Sequence, residues 1–138
     1  MGALLARGCI GEVIQMSCPF CTIPISRIIA GNELAFAIRD GFPVTELHTL
    51  VIPKRHIADW FGLTAEELLA CDELIKSERE RIVAADPSVS GFNIGINAGT
   101  SAGQTVFHCH IHLIPRRDGD VANPRGGVRN VIPGMGDY

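Results

Sequence analysis

The sequence predicts an α+β fold, on three observations. Two β-prone segments, 33–38 and 47–52, flank a turn-forming stretch. One long run of helical periodicity covers 64–85, and two further alternating segments, 92–96 and 106–114, follow it. At 138 residues, 46% of them apolar, the chain has material for one domain with one buried core.

Residues 1–17 carry no clean periodicity and read as an N-terminal arm; Glu12 and Gln15 interrupt any continuous signal-peptide core. Between the first two strands, Asp40-Gly41-Phe42-Pro43 has turn chemistry, so an antiparallel hairpin is the simplest joining. Pro53 cannot donate to a ladder and closes the second strand, which places Lys54-Arg55-His56 on a loop. Thr64 with Glu67 three residues on is a capping box, and the helix it opens stops at Asp86-Pro87. Glu66, Glu67 and the charges from Lys76 to Arg81 are expected on its solvated side. Asn97 to Gly103 is small and polar and reads as a loop. The strand after it is expected to end at Pro115, before an irregular Gly-, Pro- and Arg-rich tail.

Twelve Lys and Arg against fifteen Asp and Glu give a net charge of -3, which disfavours general DNA binding. No apolar run approaches the roughly 20 residues of a membrane span. Five cysteines, an odd number with two in a Cys-x-x-Cys, suit a reducing compartment, so a cytoplasmic location is expected.

His108, His110 and His112 alternate along the last strand, and a pleat puts such positions on one face. Their apolar neighbours Cys109, Ile111 and Leu113 turn the other way. Two chemistries fit: chelation of a catalytic metal with an open water position, or attack on phosphorus by one imidazole while its neighbours hold phosphate oxygens. The second is favoured, since a neutral imidazole is a good phosphorus nucleophile near pH 7.

The run His108-Cys109-His110-Ile111-His112-Leu113-Ile114 resembles the signature of the histidine triad (HIT) family of nucleotide hydrolases and transferases. Leu47 to His56 and the segments Asn97-Ala98-Gly99 and Ala102 to Val106 resemble two further stretches of that family, so the likeness covers residues 18–117 and leaves 118–138 as a tail. It implies an antiparallel sheet of about five strands with one main helix packed on it. It implies His110 as the nucleophile of a covalent nucleotidyl-histidine intermediate, with His112 and His48 completing the phosphate pocket and the His108 carbonyl orienting the His110 ring. Asn97, Gln104 and Thr105 match phosphate-contacting positions, and Asp40 matches an acid on the ribose hydroxyls. The substrates implied are adenine nucleotides such as dinucleoside polyphosphates, and a homodimer is the common assembly of such proteins.

Cys18-Pro19-Phe20-Cys21 looks like a redox motif, but Pro24 follows too closely for the helix that would activate the first thiol. Similarity to zinc-containing bacterial members of the family implies instead a structural zinc held by Cys18, Cys21, His56 and His108. Cys9, Cys71 and Cys109 have no assigned partner. Arg116, Arg117, Arg125 and Arg129 could fold over an anionic ligand or form part of a solvated tail. Trp60 and Phe61 are read as packing residues. Alternatives to the hydrolase are a dinucleoside polyphosphate phosphorylase, a nucleotide-binding signalling module with incidental catalysis, and a zinc-dependent hydrolase.

Overall fold

The computed structural model describes residues 17–138, so the expected N-terminal arm, with Cys9, lies outside the described residues apart from Ser17. The fold is α+β: a five-stranded antiparallel sheet with one main helix on one face. Its strands are β1 (Ile28–Gly31), β2 (Ala35–Arg39), β3 (Thr49–Pro53), β4 (Val89–Gly95) and β5 (Ile111–Arg117), and its helix is α1 (Ala65–Ala85). The spatial order is β1-β2-β3-β5-β4, with every neighbouring pair antiparallel. None of the described helices is long and apolar enough to cross a membrane.

Strand alternation divides the core in two. Ala35, Ala37, Val51 and Ile111 face α1, where Cys71 and Leu74 meet them. The opposite residues Phe36, Ile38, Leu50 and Ile52 are covered by Phe20, Ile23 and the Cys18–Cys21 turn. His112 lies on this second face, because Leu50 is paired with it across the ladder, and His108 and His110 meet Cys21 and Phe20 of the same layer.

The capping box forms as the sequence requires: Glu67 N–H donates to Thr64 Oγ1 and Thr64 N–H donates to Glu67 Oε1. The expected solvated charge on α1 needs correction at two positions. Glu67 and Glu78 are buried, because each meets arginine from the sheet side. Arg55 holds Glu67 in a two-pronged pair at 2.8 and 3.0 Å. Glu78 accepts from Arg39 at 3.1 Å and from Arg81. Acidic residues at helical spacing look solvent-facing until the opposing strand supplies guanidinium groups.

The strand expected over 106–114 is displaced to 111–117. Residues 106–110 run outside the ladder, with Cys109 N–H bonded to Ile57 O at 2.7 Å. Pro115 does not stop β5: its carbonyl accepts from Thr45 Oγ1, so its imide nitrogen faces the side where β3 has already ended at the Thr49–Leu113 pair. β1 escaped the sequence reading because its apolar run is too short to show a period. Trp60 and Phe61 are exposed, Phe61 by 83%, and do not pack in the core.

Candidate active site and metal centre

Two clusters adjoin on the second face of the sheet, and His108 touches both, its ring in the first and its carbonyl against His110 of the second. In the first, the Cys18–Cys21 turn is closed by Cys21 N–H on Cys18 O, and Thr22 Oγ1 donates to the same carbonyl. It presents both thiols to His56, on the loop after β3, and to His108. The pair between Arg55 and Glu67 anchors that loop to α1 immediately before His56.

The donor atoms of Cys18, Cys21, His56 and His108 lie within 4.8 Å of one another. Cys18 Sγ and Cys21 Sγ lie 3.5 and 3.6 Å from His108 Nδ1; Cys21 Sγ and His108 Nδ1 are each 3.2 Å from His56 Nδ1. Tetrahedral zinc bond lengths would put a sulfur and a nitrogen about 3.6 Å apart and two nitrogens about 3.3 Å apart. His108 Nε2 donates to Pro53 O at 2.8 Å, which leaves a lone pair on Nδ1, aimed at the other three donors. Burial pushes the Cys18 thiol above its usual range, and a divalent cation is what would displace its proton. The residues present therefore fit zinc.

The second cluster is a chain of three imidazoles and a carboxylate. Val44 N–H donates to His48 Nδ1 at 3.0 Å, so neutral His48 carries its proton on Nε2. That Nε2 lies 2.9 Å from His112 Nδ1 and 3.5 Å from Asp40 Oδ2. His112 accepts at Nδ1 and consequently holds its own proton on Nε2. Burial lowers the pKa of His48, partly offset by Asp40, and burial with the nearby His110 and His48 brings His112 down to about 4. Both rings are neutral donors at neutral pH.

His110 differs from both. Its Nδ1–H donates to the His108 carbonyl at 2.8 Å, leaving the Nε2 lone pair bare. The ring is only half-buried. It sits 5.3 Å from His112 and edge-on to Phe20 at 4.9 Å. An uncommitted nucleophilic nitrogen thus stands beside the N–H donor of a neutral imidazole.

The remaining expected site residues are placed unequally. Asp40 follows β2 and accepts from Phe42 N–H at 2.8 Å through Oδ1. Asn97 follows β4 and lines a cavity that also touches His48 and His112. Gln104 has no spare donor: its amide nitrogen bonds Ala58 O and Val106 O, and its oxygen accepts from Gly99 N–H. It clamps the loop instead of presenting a group to a ligand. Thr105 is exposed, in a small recess with Cys18 and His56. The four arginines from 116 onward all have protein partners. Arg116 pairs with Asp120 and Arg117 with Asp86. Arg125 and Arg129 each lie 4.9 Å from the Tyr138 ring centre. Sequence reasoning missed Phe20 as a neighbour of His110 and the Val44 amide; a backbone donor leaves no mark in a sequence.

Comparison with known proteins matches the HIT domain to residues 24–119. An uncharacterized HIT-like protein of Mycoplasma genitalium is 42% identical over 105 residues, 72% of this chain and 73% of that protein. An Arabidopsis thaliana protein named adenylylsulfatase is 33% identical over 114 residues, 79% of this chain and 57% of the relative. Among solved structures, a zinc-bound histidine triad family protein from Mycobacterium smegmatis superposes with a TM-score of 0.63 at 38% identity. That likeness covers 78% of this chain and 81% of the other.

Proposed function

Because the chain belongs to the HIT domain family, we propose that it is a nucleotide hydrolase or nucleotidyl transferase whose nucleophile is His110 Nε2. The observation carrying this reading is the His110 Nδ1–H bond to the His108 carbonyl, which leaves Nε2 as the bare nitrogen beside a half-open face. The substrate is an adenine nucleotide bearing a further group on its phosphate, dinucleoside polyphosphates among them; the relative named adenylylsulfatase supports an adenylyl donor.

In the first half-reaction the Nε2–P bond forms as the bond from phosphorus to the leaving group breaks, and the leaving group departs with that electron pair. His112 Nε2–H and Asn97 would donate to the phosphoryl oxygens, whose charge grows in the transition state. Asp40 would hold the ribose hydroxyls. In the second half, a water oxygen bonds to phosphorus, the Nε2–P bond breaks and the water's proton passes to solvent. With inorganic phosphate as acceptor the same intermediate would yield a nucleoside diphosphate; products formed with and without added phosphate distinguish the two outcomes. Zinc at the four-donor cluster would act structurally, holding the turn, the His56 loop and His108 in register.

The His110→Ala variant tests the reading. Turnover should fall by about three orders of magnitude or more while nucleotide binding persists, and an adduct on His110 should be seen by mass spectrometry of the unmodified protein. Undiminished turnover in the variant would reject His110 as the nucleophile.

The assembly we place with this function is a homodimer. Trp60, Phe61 and Leu68 surround a cavity of about 410 Å³ beside β4, an edge strand of the sheet, and Ile94 adds a further exposed apolar side chain there. Light scattering should give twice the chain mass; a monomer at all concentrations would refute the assembly.

A further inference from the structure

A cavity of about 590 Å³ lies on the histidine face between β4, β5 and the C-terminal loop. Its inner wall holds His48 and His112, and its outer wall is the short 3-10 helix Gly127–Val131. The sheet order sets its place relative to the substrate. Asp40 follows β2, and β3 and β5 intervene before β4, so the two histidines stand between Asp40 and this cavity. We propose, resting on the function given above, that the cavity takes the leaving group of the nucleotide, and that it is built for an uncharged, apolar or aromatic group in preference to a polyphosphate chain.

The lining carries the argument. Seven of its seventeen lining residues are valine or isoleucine, Val44, Ile114, Val128 and Val131 among them. Val128 and Val131 are 65% and 78% exposed, so packing within the chain accounts for little of their apolar surface, and a ligand between them and β5 would cover more of it. The wall has one cation, Arg116, and it is already committed. Its Nε and Nη2 bind both oxygens of Asp120 at 2.8 and 2.7 Å, and its Nη1 binds Asn93 at 2.7 Å. Arg125 and Arg129, the nearest further candidates in sequence, are held against Tyr138. A chain of phosphates here would lose water against valines without gaining a counter-charge. Neutral hydrogen-bonding groups are present in Asn97 and Asn130, which suits an uncharged group with a polar edge.

The roof is fixed in shape. Gly126 has φ +77°, and a Cβ on it would lie 2.1 Å from the Gly136 carbonyl oxygen, so the loop crosses itself at van der Waals contact. Arg129 Nε donates to Met135 O at 2.9 Å across the same crossing.

The test compares two donors sharing the adenylyl group, the phenyl ester of AMP and diadenosine triphosphate, on the unmodified protein and on Val128→Lys. Because each protein meets both donors, intrinsic leaving-group reactivity cancels when the ratio of kcat/KM values is compared between proteins. Val128→Lys should lower the phenyl-to-triphosphate ratio about tenfold or more. Val83→Lys, on α1 and outside this cavity's lining, should leave that ratio where it was. A ratio unmoved by Val128→Lys in a folded variant would overturn the proposal, as would competition in which excess phenyl phosphate fails to slow turnover while tripolyphosphate does. Absence of AMP and of any His110 adduct with both donors would instead reject the underlying enzymatic reading, and this inference with it.

Discussion

At the scale of single residues, the site depends on where three ring protons sit. The Val44 amide fixes the His48 proton on Nε2, and His48 in turn fixes that of His112. Replacing His48 by Ala deprives His112 Nδ1 of its donor and lets its tautomer exchange. We expect kcat to fall about 10- to 100-fold, in line with an unmade buried hydrogen bond, with less change in KM. Equal kcat for variant and parent would show that His112 needs no such support. Leu47, immediately before, is the only described non-glycine residue with positive φ, at 71°, so backbone strain is held next to this ring. The alternating histidines and the Cys-x-x-Cys were legible in the sequence because a site that needs particular elements in particular order leaves them as spacing. Gln104 was not: an amide reads alike whether it faces a phosphate or three backbone groups.

At the scale of elements, the buried carboxylates of α1 are where charge and packing meet. Glu78 is fully buried, and Arg39, one of its partners, also donates to Thr49 Oγ1, so the helix, β2 and β3 share one polar junction. Glu78→Ala leaves Arg39, a third exposed, without its counter-ion and should cost about 1–3 kcal/mol in urea unfolding. A loss below 1 kcal/mol would mean that water replaces the carboxylate there. The helix boundaries were readable because capping box and proline act locally. The β5 register was not, because the tolerance of Pro115 depends on β3 having already ended, a fact about a strand some 60 residues away in sequence.

At the scale of the whole molecule, stability is expected to depend on pH and on metal. The folded pKa of His112 is about 4, below the ordinary 6.5, so the folded state refuses a proton that the unfolded chain accepts. Its stabilisation is complete above about pH 6.5 and is lost as pH falls towards 4. His48 shifts in the same direction. Urea midpoints should fall by the equivalent of about 1–3 kcal/mol between pH 7 and 4.5, and His112→Asn should flatten that slope. An unchanged slope would locate the sensitivity elsewhere. The four-donor cluster is expected to bind one zinc per chain by elemental analysis, and Cys21→Ser should lose the metal and lower Tm by about 10 °C or more. Metal-free protein with unaltered Tm would rule out a structural ion.

His108 makes one further demand on the molecule. Its imidazole belongs to the four-donor cluster while its carbonyl orients the ring of His110, the nucleophile we propose, so a single residue would tie a metal tether at one end to a reactive atom at the other. Anything that loosens the tether, whether a chelator, an oxidant at the thiols or a competing ion, reaches the reaction by tilting one ring, without ever touching the substrate.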